Sequence, residues 1–156
     1  MYLYEELLHL AHENKRINVE EVDFEGDCGY YSDDCILLSK ESTFSKKAEI
    51  LAEEIGHHDT TAGNIVDQGT VSDIKQEKRA RIKGYSYILP TSKIVKALLN
   101  CCISLHDMSE YLGVSEKYIC ESLDYYKSKY GLYYKCNDYT LFFEPLGVMG
   151  SCVAEN

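Results

Sequence analysis

Hydrophobic residues recur at intervals of three and four along most of the chain, the spacing of one face of an α-helix. In the second such segment the predicted core stripe follows Ser42 and Thr43, residues that commonly cap helix N-termini, and consists of Phe44, Ala48, Leu51, Ala52 and Ile55. Pro90 ends the third segment, because proline cannot continue a helix. The pattern therefore predicts four helices in the first two thirds of the chain, at about residues 3–14, 42–58, 72–89 and from near Ser92 onward.

Shorter β-rich runs separate and follow these helices. An extended piece is predicted over residues 17–24, and a hairpin is predicted from residues 29–31 and 35–38 around a polar turn. Residues 104–130 predict two short helices about a turn at Gly113-Val114-Ser115. A second hairpin is predicted from residues 132–134 and 139–143, turning at Asn137-Asp138.

These elements predict an α+β protein that is mostly helical, with small antiparallel β ribbons. A length of 156 residues suits one domain, or one domain and a small appendage. We expect a core domain over residues 1–100. Residues 101–156 are expected to form a helical appendage that resembles a helix-turn-helix and ends in a hairpin.

The charge balance limits the classes of function that the sequence supports. Sixteen basic against 26 acidic residues give a net charge of −10, which argues against broad binding of nucleic-acid phosphates. No apolar run reaches the roughly 18–20 residues of a membrane span, and the N-terminus lacks the features of a signal peptide. We therefore expect a cytoplasmic protein without a membrane partner. The seven cysteines include no CxxC pair, so they are expected to be buried thiols rather than zinc ligands.

The second helix carries the candidate chemistry, in the run Glu53-Glu54-Ile55-Gly56-His57. In the HExxH pattern of zinc peptidases, the ligands stand at the first and fifth positions and the general base at the second. Glu53 here takes the first ligand position, Glu54 the base position and His57 the second ligand position. Residues four apart share one helix face, so Glu53 and His57 can converge on one ion. By rotation along the helix, the neighbouring His58 is expected at the edge of the core.

A third ligand is expected from the next helix, where Glu77 is the only acid in a basic stretch. Glu77 shares a face with Ala80, Gly84 and Ile88, and the small residues there permit close packing against another helix. An acid on an inward face needs a partner, since burying an unpaired carboxylate is costly. A metal ion is one candidate partner, and an ion pair with Arg81 on the same helix is the alternative.

Together, these runs resemble the ImmA/IrrE family of metallopeptidases, and most closely the members carried by phages and integrative elements. The resemblance covers residues 3 to about 130 and rests on Glu53–His57, on Gly63-Asn64-Ile65 and on Gln76–Ala80. It implies a zincin-like metallopeptidase core. The implied activity is a limited cleavage of a helix-turn-helix transcriptional repressor, which derepresses a prophage or mobile element.

The resemblance also assigns roles. His57 matches the second histidine ligand, Glu54 the general base and Glu77 the downstream acidic ligand. Glu53 occupies the place of the first histidine, so the alternative is a catalytically weak or inactive module that binds a repressor without cutting it. Zn²⁺ is the expected cofactor, with Mn²⁺ or Fe²⁺ as alternatives because carboxylates are harder ligands.

Two further features have competing interpretations. Tyr85 or Tyr87 could donate a hydrogen bond to an oxyanion, although core packing is the more common role of tyrosine. The helix pair of residues 104–130 resembles a DNA-binding helix-turn-helix. Its net acidic charge and the acid at Glu116 favour packing or substrate docking instead, and no direct DNA binding is expected.

Overall fold

The computed structural model describes residues 3–23, 29–32, 35–61 and 70–150. It confirms an α+β fold that is mostly helical, and it divides the chain into two compact units, Met1–Ile88 and Leu89–Asn156. The sequence pattern predicts this division near residue 100. The helix that follows Pro90 instead belongs to the second unit, where its buried residues Ile94, Val95 and Ala97 pack.

The first unit begins with helix α1, Leu3–His9, which continues as a π-helical segment over Leu10–Lys15. Arg16 ends the segment with a left-handed φ of 58°, and the backbone N–H of Ile17 still donates to the carbonyl of Ala11 at 2.9 Å. The predicted helix of residues 3–14 is thus present, and its second half is π-helical rather than α-helical.

A three-stranded sheet follows, made of β1 (Asn18–Val22), β2 (Gly29–Ser32) and β3 (Cys35–Ser39). β2 pairs antiparallel with β3, which confirms the predicted hairpin, and β1 pairs parallel with β3 on its other side. The strand order β1-β3-β2 leaves β2 at an edge. The tip of the hairpin, residues 33–34, lies outside the described residues. Ile36 and Leu38 are fully buried, so the central strand supplies the core face.

Two long helices complete the first unit, α2 (Phe44–Thr61) and α3 (Thr70–Ile88). The hydroxyl of Thr43 accepts a hydrogen bond from the Lys46 backbone at 3.3 Å, which identifies Thr43 as the capping residue. The predicted core stripe of α2 is buried at four of its five positions, Ala48, Leu51, Ala52 and Ile55. The fifth, Phe44, was wrongly assigned to the core: it is 73% exposed, because it starts the helix.

The second unit contains α4 (Thr91–Leu99), α5 (Leu105–Leu112) and α6 (Glu116–Tyr130). Ser104 and Asp107 form a capping box at the start of α5, and Ser115 caps α6. Gly113 has a φ of 71° in the turn between these helices, a left-handed conformation that favours glycine. The predicted helix pair is therefore confirmed.

An antiparallel sheet follows the helices, with β4 (Tyr133–Cys136), β5 (Tyr139–Phe143) and β6 (Leu146–Gly150) in that order. The predicted hairpin is β4–β5, and β6 is a third strand that the pattern did not predict. Its sequence Leu-Gly-Val-Met-Gly lacks a clear polar alternation, which is the usual signal of a half-buried strand.

The cysteines depart from the expectation of buried thiols. All five in the described part of the chain are free, but only Cys102 is buried, whereas Cys101 and Cys120 are exposed. No helix among the described residues is both long and apolar enough to span a bilayer.

Candidate metal centre

The predicted ligands Glu53, His57 and Glu77 come together in the first unit. Glu53 and His57 lie one turn apart on α2, and Glu77 extends from α3. One ligand atom from each residue lies within 4.8 Å of the others. Nε2 of His57 lies 3.4 Å from Oε2 of Glu77.

The donor set suits a divalent cation. Two ligand atoms held at about 2.1 Å around a tetrahedral ion stand about 3.4 Å apart, the separation of the His57 and Glu77 atoms. All three ligand atoms lie within 4.8 Å of one another. Imidazole nitrogens and carboxylate oxygens both bind zinc, and three protein ligands leave a fourth position for water or substrate.

A close helix crossing brings Glu77 to the other two residues. A Cβ added to Gly56 would lie 2.2 Å from the backbone carbonyl oxygen of Ala80, so α2 and α3 touch there through their backbones. Ala80 is fully buried and lies one turn after Glu77. The prediction that small residues on α3 permit close packing is therefore confirmed, and Gly56 supplies the matching position on α2.

Glu77 itself is not buried, contrary to the expectation of an inward-facing acid. Its side chain is 62% exposed, against 21% for His57. Glu77 lies at the solvent end of the face that Ala80, Gly84 and Ile88 bury. The cost of burying a carboxylate therefore does not explain its position, and His57 on the opposite helix is its observed neighbour.

Arg81 lies beside Glu53. The Nε and Nη2 atoms of Arg81 lie 3.3 and 3.2 Å from the same oxygen, Oε1 of Glu53. Glu53, at the first ligand position, thus forms an ion pair with Arg81 that links α3 to α2. The spacing of residues along α3 predicts Arg81 only as a partner of Glu77, because spacing along one helix cannot reveal an ion pair between two helices.

Glu54, the predicted base, faces the sheet. A Cβ on Gly29 would lie 3.3 Å from Oε1 of Glu54 and 2.4 Å from Cγ2 of Ile50, so the edge strand β2 crosses α2 closely here. Burial raises the pKa of the Glu54 carboxyl above its usual value, the nearby charge of His57 opposes this, and the charges of Glu53 and Glu77 raise it further. A carboxylate with a raised pKa is a stronger proton acceptor at neutral pH.

Asp59 also has partners near the site, and the sequence pattern does not predict them. Lys15, at the end of the π-helical segment, donates to its two carboxylate oxygens at 2.7 and 2.9 Å, and the Tyr87 hydroxyl donates to Oδ2. Burial raises the pKa of Asp59, but the hydrogen bonds from Lys15 and Tyr87 outweigh it and lower the pKa below its usual value. Lys15 is 44 residues away in sequence, so no local spacing could indicate this contact.

Tyr85 and Tyr87 are the two residues predicted as possible oxyanion donors. Tyr87 is occupied with Asp59, and Tyr85 is 5% exposed within the core. Tyr87 lies ten residues after Glu77, about 15 Å along the helix axis. An oxyanion role for either residue stays a prediction without support from these contacts. His58, expected at the edge of the core, is half-buried.

Comparison with known proteins adds a likeness of fold. No protein-family profile matches the sequence, and no curated protein matches it. Among solved structures, a Mycobacterium tuberculosis transcriptional regulator matches with a TM-score of 0.63 at 15% sequence identity. The match covers 78% of this chain and 40% of the other, so this chain spans less than half the length of that protein. At this identity the likeness concerns the fold alone.

Proposed function

We propose that this chain is a cytoplasmic metallo-endopeptidase of the ImmA/IrrE type. It would make a limited cleavage in a helix-turn-helix repressor and so derepress a phage or mobile element. The observation that carries the proposal is the convergence of Glu53, His57 and Glu77 from two helices, next to Glu54. Three ligands of zinc-binding type within reach of one ion, with a carboxylate base beside them, are the requirements of metal-assisted peptide hydrolysis.

In this proposal the bound ion supplies polarisation of the scissile carbonyl and activation of a water. Glu54 would accept a proton from water and pass it to the leaving amine, and its raised pKa suits both transfers. His57 would bind the ion through Nε2, the atom that faces Glu77. Zn²⁺ is the proposed ion, and Mn²⁺ or Fe²⁺ are the alternatives because carboxylates are harder ligands than imidazoles.

The overall charge supports a protein substrate with a basic surface. At −10 the chain attracts such partners at long range and repels nucleic-acid phosphates. The segment of residues 104–130 is itself acidic, so its helix pair is proposed to dock the repressor rather than bind DNA. Electrostatic attraction of this kind acts chiefly on the association rate.

A second candidate is a module that binds a repressor without cutting it. The Arg81–Glu53 ion pair favours this candidate, because it satisfies the first ligand position without a metal. If the pair turns both carboxylate oxygens of Glu53 away from the site, an incoming ion finds only His57 and Glu77, which are too few ligands for a stable zinc site. The two candidates therefore differ in whether the folded protein binds one ion tightly.

Metal analysis of the purified protein tests the proposal. The protein is saturated with Zn²⁺, passed through a desalting column and assayed for metal and protein. We expect one Zn²⁺ per chain, and a loss of bound Zn²⁺ in Glu77→Gln, which removes a ligand charge while keeping the side chain's size. Glu110→Gln, an exposed acid on α5, is the matched control and should keep its metal. Absence of Zn²⁺ from the unsubstituted protein would support the non-catalytic module.

A further inference from the structure

We infer that Arg81 is a positioning residue of the metal site: it holds the carboxylate of Glu53 in the orientation that lets this residue act as a ligand. The inference rests on the proposed metallopeptidase function. The Nε and Nη2 atoms of Arg81 both approach Oε1 of Glu53, at 3.3 and 3.2 Å. Both hydrogen bonds use Oε1, so the second carboxylate oxygen of Glu53 would be the one to bind an ion.

A glutamate in this position needs such a partner more than a histidine would. The glutamate side chain has one more rotatable bond than histidine, and the Glu53 side chain is one-quarter exposed, so packing alone does not fix it. The planar guanidinium of arginine holds a carboxylate in a defined orientation through charge-assisted hydrogen bonds. Carboxylates that bind metals are generally held by such outer hydrogen bonds.

Arg81 also balances the charge that Glu53 brings. A glutamate in place of a neutral histidine adds one negative charge to the ligand set. Arg81 offsets it, so the net charge of Glu53, His57, Glu77 and Arg81 equals that of two neutral histidines and one glutamate. The arginine thus compensates, in orientation and in charge, for the unusual residue at the first ligand position.

The Arg81–Glu53 ion pair by itself contributes little to the free energy of unfolding. The Arg81 side chain is 50% exposed, and exposed ion pairs contribute little to folding. Removing the arginine should therefore leave the thermal unfolding temperature almost unchanged and should act on metal affinity instead. This difference separates a positioning role from a general structural one.

The experiment compares Zn²⁺ affinity, by competition with a chromophoric chelator at fixed pH, in two backgrounds. In the natural background, Arg81→Gln should weaken Zn²⁺ binding about 10-fold, as loss of an outer-shell partner does. Arg81→Lys keeps the charge and should recover part of the loss. In a Glu53→His background there is no carboxylate to orient, so adding Arg81→Gln should leave affinity unchanged or raise it. Arg79→Gln, an exposed arginine on the same helix, is the control.

The outcomes separate the two claims. If the unsubstituted protein binds no Zn²⁺, the proposed function fails and this inference fails with it. If it binds Zn²⁺ and Arg81→Gln has no effect, only the role of Arg81 is overturned. An equal loss in both backgrounds, or a large fall in unfolding temperature, would show that Arg81 merely supports the fold. Loss in the natural background alone, with partial recovery by lysine, supports the inference.

Discussion

Gly56 and Ala80 are in backbone contact where helices α2 and α3 cross. A Cβ on Gly56 would lie 2.2 Å from the Ala80 carbonyl oxygen and 2.9 Å from the carbonyl carbon, distances that no side chain can occupy. His57 directly follows Gly56, and Glu77 lies one turn before Ala80. The contact therefore sets the distance across which the two helices share the candidate metal site.

Gly56→Ala should destabilise the protein and weaken the proposed metal site. The added methyl group meets backbone rather than a flexible side chain, so the helices must separate, at a cost of about 1–3 kcal/mol. The same movement takes Glu77 away from His57 and should lower Zn²⁺ affinity. Chemical denaturation and a Zn²⁺ titration measure the two effects.

Gly147→Ala is the control for this substitution. A Cβ there has no atom within 4 Å, so neither stability nor Zn²⁺ affinity should change appreciably. A Gly56→Ala protein with the stability and affinity of the parent would show that the helices can separate freely and that the contact does not define the site.

Glu54→Gln should keep the fold and the bound metal but abolish cleavage of the repressor. An amide cannot accept the proton of the attacking water, whereas Glu53, His57 and Glu77 are untouched. Cleavage of the cognate repressor is followed by gel electrophoresis, with Zn²⁺ content measured on the same samples. Undiminished cleavage by this variant would remove Glu54 from the role of base.

Asp59→Asn should destabilise the first unit at neutral pH, by about 1–3 kcal/mol, because Lys15 and Tyr87 lose a charged acceptor. The pKa of Asp59 is lowered in the folded protein. Its contribution to stability is therefore fully present above the unfolded-state pKa of about 4 and is lost as the pH falls through the lower folded value. The difference in unfolding free energy between parent and variant should shrink between pH 5 and pH 2.

An exposed ion pair provides the comparison for Asp59. Lys40 and Asp23 lie 3.1 Å apart with side chains 50% and 83% exposed, so Lys40→Met should change stability by less than about 1 kcal/mol. Lys15→Met, in contrast, leaves the largely buried Asp59 without its cation and should be clearly destabilising. Equal effects of the two lysine substitutions would show that the Asp59 contacts have no special weight.

Cleavage of an intact cognate repressor should slow as salt concentration rises. A basic repressor is attracted to a chain of net charge −10, and salt screens that attraction over about 10 Å at 0.1 M. A short peptide that spans the same bond lacks the docking surface, so its cleavage should be slow and nearly independent of salt. One sample of the protein, the intact repressor, the short peptide and a salt series provide the comparison. Equal rates on both substrates would place specificity in the cleft around Glu54 instead.

The spacing of residues along the chain was sufficient to predict most of the helices and the two candidate ligands on α2, Glu53 and His57. The apolar residues of α2 recur at intervals of three and four residues, so the geometry of a single helix predicts its core stripe. The same geometry places Glu53 and His57 on one face of the helix. The same holds for the capped pair α5 and α6, whose turn contains Gly113. Phe44 is the exception on α2, since a periodic pattern does not show where the covering elements end.

Contacts between distant segments were decided only by the tertiary structure. The parallel pairing of β1 with β3, the ion pair of Arg81 with Glu53 and the contact of Lys15 with Asp59 each join separate elements. A side chain's periodicity tells which face of its own helix or strand it occupies, but not which residue of another element lies opposite. That choice depends on where two backbones approach, and in this protein Gly56 and Ala80 determine it for the candidate metal centre.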